Sequence, residues 1–75
     1  MQPYKDLSGR SGVKAFEITD DSIKVQFKDG SEYLYDSHLP GKEHVDEMKK
    51  LAHSGIGLTT FINKVVRSNY TRKLK

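Results

Sequence analysis

The residues of this chain that can do chemistry are mostly cations and tyrosines. Lys64, Arg67, Arg72, Lys73 and Lys75 crowd the last twelve positions, and no Asp or Glu occurs from Ser54 onward. Cations unopposed by carboxylates are the raw material of a phosphate-binding surface. On a helix running past Val66, Lys64 and Arg67 lie three apart and share the solvent side. Arg72 and Lys73 follow in a basic tail, Asn63 can add a hydrogen bond, and Tyr70 offers the most exposed ring. The bland alternative is a solvated helix end whose cations favour the macrodipole. Spacing alone leaves both readings open.

Other chemistries find less support. Tyr33 and Tyr35 alternate on a strand; they can stack on bases as aromatic platforms do, or pack into a core with their hydroxyls at its edge. The alternation favours the core. Gly55-Ile56-Gly57 precedes a helix whose first turn holds Thr59 and Thr60, where backbone amides can meet a phosphate. Two helix-end glycines explain that run without a ligand, and the lysine of a phosphate-binding loop is missing. His38, His44 and His53 are spaced by six and nine residues, so no two share a helical face as zinc ligands would. With no cysteine, no Ser–His–Asp spacing and acids on a solvated helix face, the expectation is a non-enzyme without metal or cofactor. A domain this small also leaves little room for a small-molecule pocket.

The elements that must position these residues are legible. Ile23–Tyr35 is two alternating runs joined at Asp29-Gly30, a strong hairpin signal. A three-residue loop with Gly30 in the left-handed bulge position pairs Val25 with Tyr33 and Ile23 with Tyr35. That register gathers Ile23, Val25, Phe27, Tyr33 and Tyr35 on one face, and a buried face decides register. Leu34 then points outward among Glu32, Gln26 and Lys24. Val13–Ile18 alternates ahead of a turn at Thr19–Ser22 and supplies a further strand. After Leu39-Pro40-Gly41, the spacing of Val45, Met48, Leu51 and Ala52 predicts a helix ending at Gly55. Leu58, Phe61, Ile62, Val65 and Val66 predict a second core-facing helix that runs from near Gly57 to about Ser68-Asn69.

The sequence therefore predicts an α+β fold, a three-stranded antiparallel β-meander packed on one face by two α-helices in the order β-β-β-α-α. Residues 1–12 are expected to be a flexible lead-in, 13–70 the folded domain and 71–75 a basic tail. Seventy-five residues without cysteine make one domain held by its core alone, in a reducing compartment. No stretch reaches transmembrane length and the N-terminus lacks an apolar signal core, so a cytoplasmic location with no membrane partner is expected. Residues 1–36 carry five basic and seven acidic groups, whereas 37–75 carry eight and three. The positive half is where an anionic partner would sit.

The order Phe27, Gly30, Tyr33, Tyr35, then a small-residue helix break, then Phe61-Ile62-Asn63-Lys64-Val65-Val66-Arg67-Ser68-Asn69-Tyr70 resembles the KTSC domain. That short domain occurs at the C-terminal end of some lysyl-tRNA synthetases and as a stand-alone small bacterial protein. The resemblance spans about Val13 to Tyr70. It departs at Leu39-Pro40, which lies further from the Tyr-x-Tyr than the family's Val-Pro. The family has no established activity, and the resemblance implies RNA binding as a suggested role. The leading expectation is thus weak RNA binding through the basic second helix and tail. Its rival is a protein-interaction module using the edge of strand 13–18 or the helix pair.

Overall fold

The computed structural model describes all 75 residues, Met1–Lys75. Its elements are β1 (Gln2–Pro3), β2 (Val13–Ile18), β3 (Ser22–Phe27), β4 (Glu32–Asp36), α1 (Lys42–Ser54), α2 (Leu58–Phe61), a π-helical turn at Ile62–Val66, and β5 (Arg72–Lys73). The five strands form one antiparallel sheet in the order β1-β2-β3-β4-β5. This corrects the expected three-stranded meander. β2, β3 and β4 do form a meander, but a short strand is added at each side. Two-residue strands carry no period-2 signal, so alternation could not reveal them.

The additions come from segments expected to lie outside the domain. Gln2 and Pro3 pair with Phe16 and Ala15, and the Tyr4 amide donates to the Lys14 carbonyl at 3.0 Å. The edge of β2, expected to be free, is therefore covered at its centre. At the other side Arg72 and Lys73 pair with Leu34 and Tyr33, and Glu32 exchanges backbone hydrogen bonds with Leu74 and Lys75. Residues 1–12 also reach the helices. Tyr4 is buried, its hydroxyl accepts the Leu58 amide at 3.3 Å, and the Leu7 amide donates to the Gly55 carbonyl at 2.7 Å.

The central hairpin takes the bulged register. Ile23 faces Tyr35 and Val25 faces Tyr33, while the Phe27 amide donates to Ser31 and the Gly30 amide closes the turn onto Phe27. Gly30 has φ +93°, the left-handed value the bulge requires. Leu34 lies on the opposite face, paired with Lys24 and Arg72.

The helices cover one face of the sheet. Val45, Met48 and Ala52 of α1 are buried with Phe16, Ile23, Val25 and Tyr35, as the apolar stripe requires. Gly55 ends α1 at φ +80°, and an added Cβ there would stand 2.7 Å from Lys5 Cβ. Both the backbone conformation and the close approach of the N-terminal segment thus select glycine. The second helix departs from its expected form. It is α-helical only for Leu58–Phe61, then widens, with the Arg67 amide donating back five residues to Ile62 at 2.6 Å. Leu58, Ile62 and Val66 point inward, but the wider turn carries Val65 out to 43 % exposure.

Candidate functional site

The largest concavity is a groove of about 460 Å³, open to solvent and lined by Phe27, Asp29, Ser31, Tyr33, Tyr35, Ile62, Arg67, Ser68 and Tyr70. It is a shallow, largely open surface depression and not an enclosed pocket of the kind that buries a small ligand. The hairpin corner supplies one side, because the bulged turn at Lys28–Gly30 ends β3 next to Tyr33 on β4. The segment after the π-helical turn supplies the other.

The aromatic wall follows from the register. Tyr33 and Tyr35 share the helix-covered face of β4, as side chains two apart must. Tyr35 is 2 % exposed, and burial pushes its hydroxyl pKa up to about 12, so it stays protonated. Tyr33 is half-buried. Tyr70, expected as the most exposed aromatic, is also half-buried: its ring meets Tyr33 at 4.7 Å and 63°, and Tyr35 at 6.5 Å and 86°. Phe27 closes the row, 5.6 Å from Tyr33 and nearly perpendicular to it. The tyrosine pair is a corner, one ring face beside one ring edge.

Arg67 reaches this groove through an unusual backbone. The Asn69 amide donates to the Val66 carbonyl at 2.8 Å, closing a tight turn. Arg67 occupies its second position with φ 48° and ψ −120°, the geometry of a type II′ turn, where glycine is the usual occupant. The π-helical turn sets this up, because the chain must reverse immediately after the buried Val66. Lys64 therefore remains on the exposed side of the turn while Arg67 has left the helix, and the expected shared helical face does not exist.

The strand pairing divides the other candidates. Lys73 sits opposite Tyr33 and holds its ammonium 5.8 Å from that ring's centroid. Arg72 pairs with Leu34 and belongs to the opposite face of the sheet. Asn63 and Lys64 are exposed and line no part of the groove. The four ion pairs of the chain, Lys24–Glu17, Lys28–Asp6, Lys42–Asp46 and Lys75–Glu32, use none of Lys64, Arg67, Arg72 or Lys73. Structure thus brings Arg67, Lys73 and Tyr70 together with Tyr33 and leaves Asn63, Lys64 and Arg72 apart.

Two groove residues had no signal as site residues in the sequence. Asp29 Oδ1 accepts from the Ser31 hydroxyl at 2.7 Å and the Ser31 amide at 2.9 Å. These bonds hold its carboxyl below the usual carboxylate range, the hydroxyl contributing most. Oδ2 makes no hydrogen bond within the chain. Both residues read in sequence as turn formers, and only the folded hairpin turns them toward the tyrosines.

A second, smaller cleft of about 240 Å³ is lined by Ser8, Arg10, Ser11, Gly57, Thr59 and Thr60. The Ser11 and Thr59 hydroxyls bond to each other, and Thr59 also accepts the Gly12 amide. Those groups tie the N-terminal segment to the start of α2. The histidines are separate: His53 packs against Phe16, His44 against Phe61, and His38 is exposed in the β4–α1 turn. No helix is long and apolar enough to cross a membrane.

Comparison with protein-family models, with curated proteins and with solved structures gave no match for this chain.

Proposed function

We propose that this chain is a small, non-enzymatic, KTSC-like module of the cytoplasm that binds RNA weakly. Lys64, Arg67, Arg72 and Lys73 are its phosphate contacts, and Tyr70 with Tyr33 is its aromatic surface. The observation that carries the reading is the placing of cations that make no direct ion pair beside an aromatic wall. Arg67 and Lys73 stand near Tyr33 and make no direct ion pair, although the Lys73 charge is felt by Asp29, and single-stranded nucleic acid is held by cations tracking the backbone with rings beneath the bases. Arg72, Lys64 and Asn63 lie outside the groove and serve a longer strand passing over the basic half.

The test is an NMR titration of the labelled chain with short single-stranded and hairpin RNAs at two salt concentrations. Shifts at Tyr33, Arg67, Tyr70 and Lys73 that fade at the higher salt are expected, because neutralised phosphates release counterions. The double variant Lys64→Glu/Arg67→Glu should lose binding with its dispersion of resonances intact. Unchanged affinity in that variant sinks the assignment, and binding indifferent to salt transfers the chain to the protein-interaction class.

A further inference from the structure

The groove carries charge of both signs. Arg67 and Lys73 flank the tyrosine corner, while Asp29 lines the same groove with one carboxylate oxygen uncommitted. A site for backbone phosphate alone would gain nothing from a carboxylate among its cations. A nucleotide, however, presents an anion and a flat ring whose edge can donate hydrogen bonds. Resting on the RNA-binding reading, we propose that the groove takes one unpaired nucleobase bearing an exocyclic amino group, laid against Tyr33 and Tyr70, with Asp29 Oδ2 accepting from that amino group.

The geometry supplies each part. Tyr33 and Tyr70 meet at 63°, so a planar base against either ring face has the other ring at its rim. That is a seat for one base and not for a run of stacked bases. Ser31 fixes the Asp29 carboxylate by occupying Oδ1 twice, which leaves Oδ2 as a positioned acceptor. An ionised carboxylate can accept and cannot donate. Cytosine meets it with an amino group, as Asp and Glu do when they read cytosine N4. Uracil has a carbonyl at the corresponding position, so two acceptors would face each other. Cytosine and uracil have nearly the same ring size and stacking surface, so the contrast between them isolates the carboxylate.

The experiment titrates the full chain with tetracytidylate and tetrauridylate, in the wild type, Asp29→Asn and Tyr70→Ala. The wild type should prefer tetracytidylate by about threefold to tenfold, less than a well-formed bidentate base contact gives because Asp29 is open to water. Asp29→Asn keeps an acceptor for Ser31 but puts an amide N–H donor where Oδ2 stood, which opposes the amino group of cytosine and suits the carbonyl of uracil, so the preference should be lost and tilt toward tetrauridylate. Tyr70→Ala should weaken both ligands, and Asp29→Asn guards the result should that variant unfold. Equal binding of the two tetranucleotides overturns the base-edge proposal and leaves RNA binding standing. Absence of binding by both at low salt overturns both.

Discussion

Two tight turns border the groove, and they meet the same backbone demand in opposite ways. The hairpin corner closes with the Gly30 amide on Phe27 and places Gly30 at φ +93°. The turn after the π-helical segment closes with the Asn69 amide on Val66 and places Arg67 at φ 48°. A positive φ is free for glycine, while a residue with a Cβ loses about 1–3 kcal/mol there. One turn is optimised for the fold. The other accepts strain and gains a guanidinium at the rim of the groove, and strain retained at such a place is a familiar mark of function over stability.

The comparison can be broken first through the floor that both turns rest on. Tyr35 is buried between them, and its raised pKa makes the neutral phenol the form that folding favours. Stability contributed this way is complete below the unfolded value of 10 and is lost as pH rises toward about 12. About 2–3 kcal/mol should disappear over that window, read from urea melts at successive pH values. Groove resonances should broaden before those of α1.

Exchanging the residues at the turns sharpens it next. Gly30→Val should cost about 2 kcal/mol, because a β-branched side chain tolerates positive φ poorly. Nothing lies within 4 Å of the added Cβ, so the loss would be one of backbone alone. Arg67→Gly should act in the other direction, stabilising by about 1 kcal/mol and raising Tm by roughly 4–8 °C while weakening the proposed RNA binding. A variant less stable than wild type would mean that the arginine side chain holds the fold together. The smallest effect separates the turns by pH. Asp29 has a depressed pKa, so its contribution is present above about pH 4 and lost as pH falls through its folded value. The Ser31 amide should shift in acid while the Asn69 amide, with no carboxylate on it, should not.

The same pair shows what the sequence could disclose. Asp29-Gly30 between alternating runs announces its turn, so the hairpin register, the buried Tyr35 and the outward Leu34 were all legible. The stripe Val45, Met48, Ala52 and the Gly55 stop marked α1 for the same reason: local preference and final structure agree. Arg67 announces nothing, because arginine is an ordinary helix residue and a continuing helix is the natural reading through Val66. The π-helical turn that carries Val65 outward is equally silent, since inward residues at 58, 62 and 66 fit either helix. β1 and β5 are too short to have a period. The groove was hidden by a correct inference: Tyr33 and Tyr35 do face the core side, and only Tyr70 and Arg67 folding back over them open that edge into a site.

The Tyr4 hydroxyl accepts the amide of Leu58, 54 positions later in the chain. On a ribosome, which adds roughly 5–20 residues each second, those two partners are made about 3–10 s apart. β1 can pair with β2 as soon as both are made, but the Tyr4 hydroxyl has no partner until α2 has been synthesised. The bond that ties Tyr4 to the second helix is therefore among the last to form, and a nascent chain halted within α1 would leave that hydroxyl without its partner.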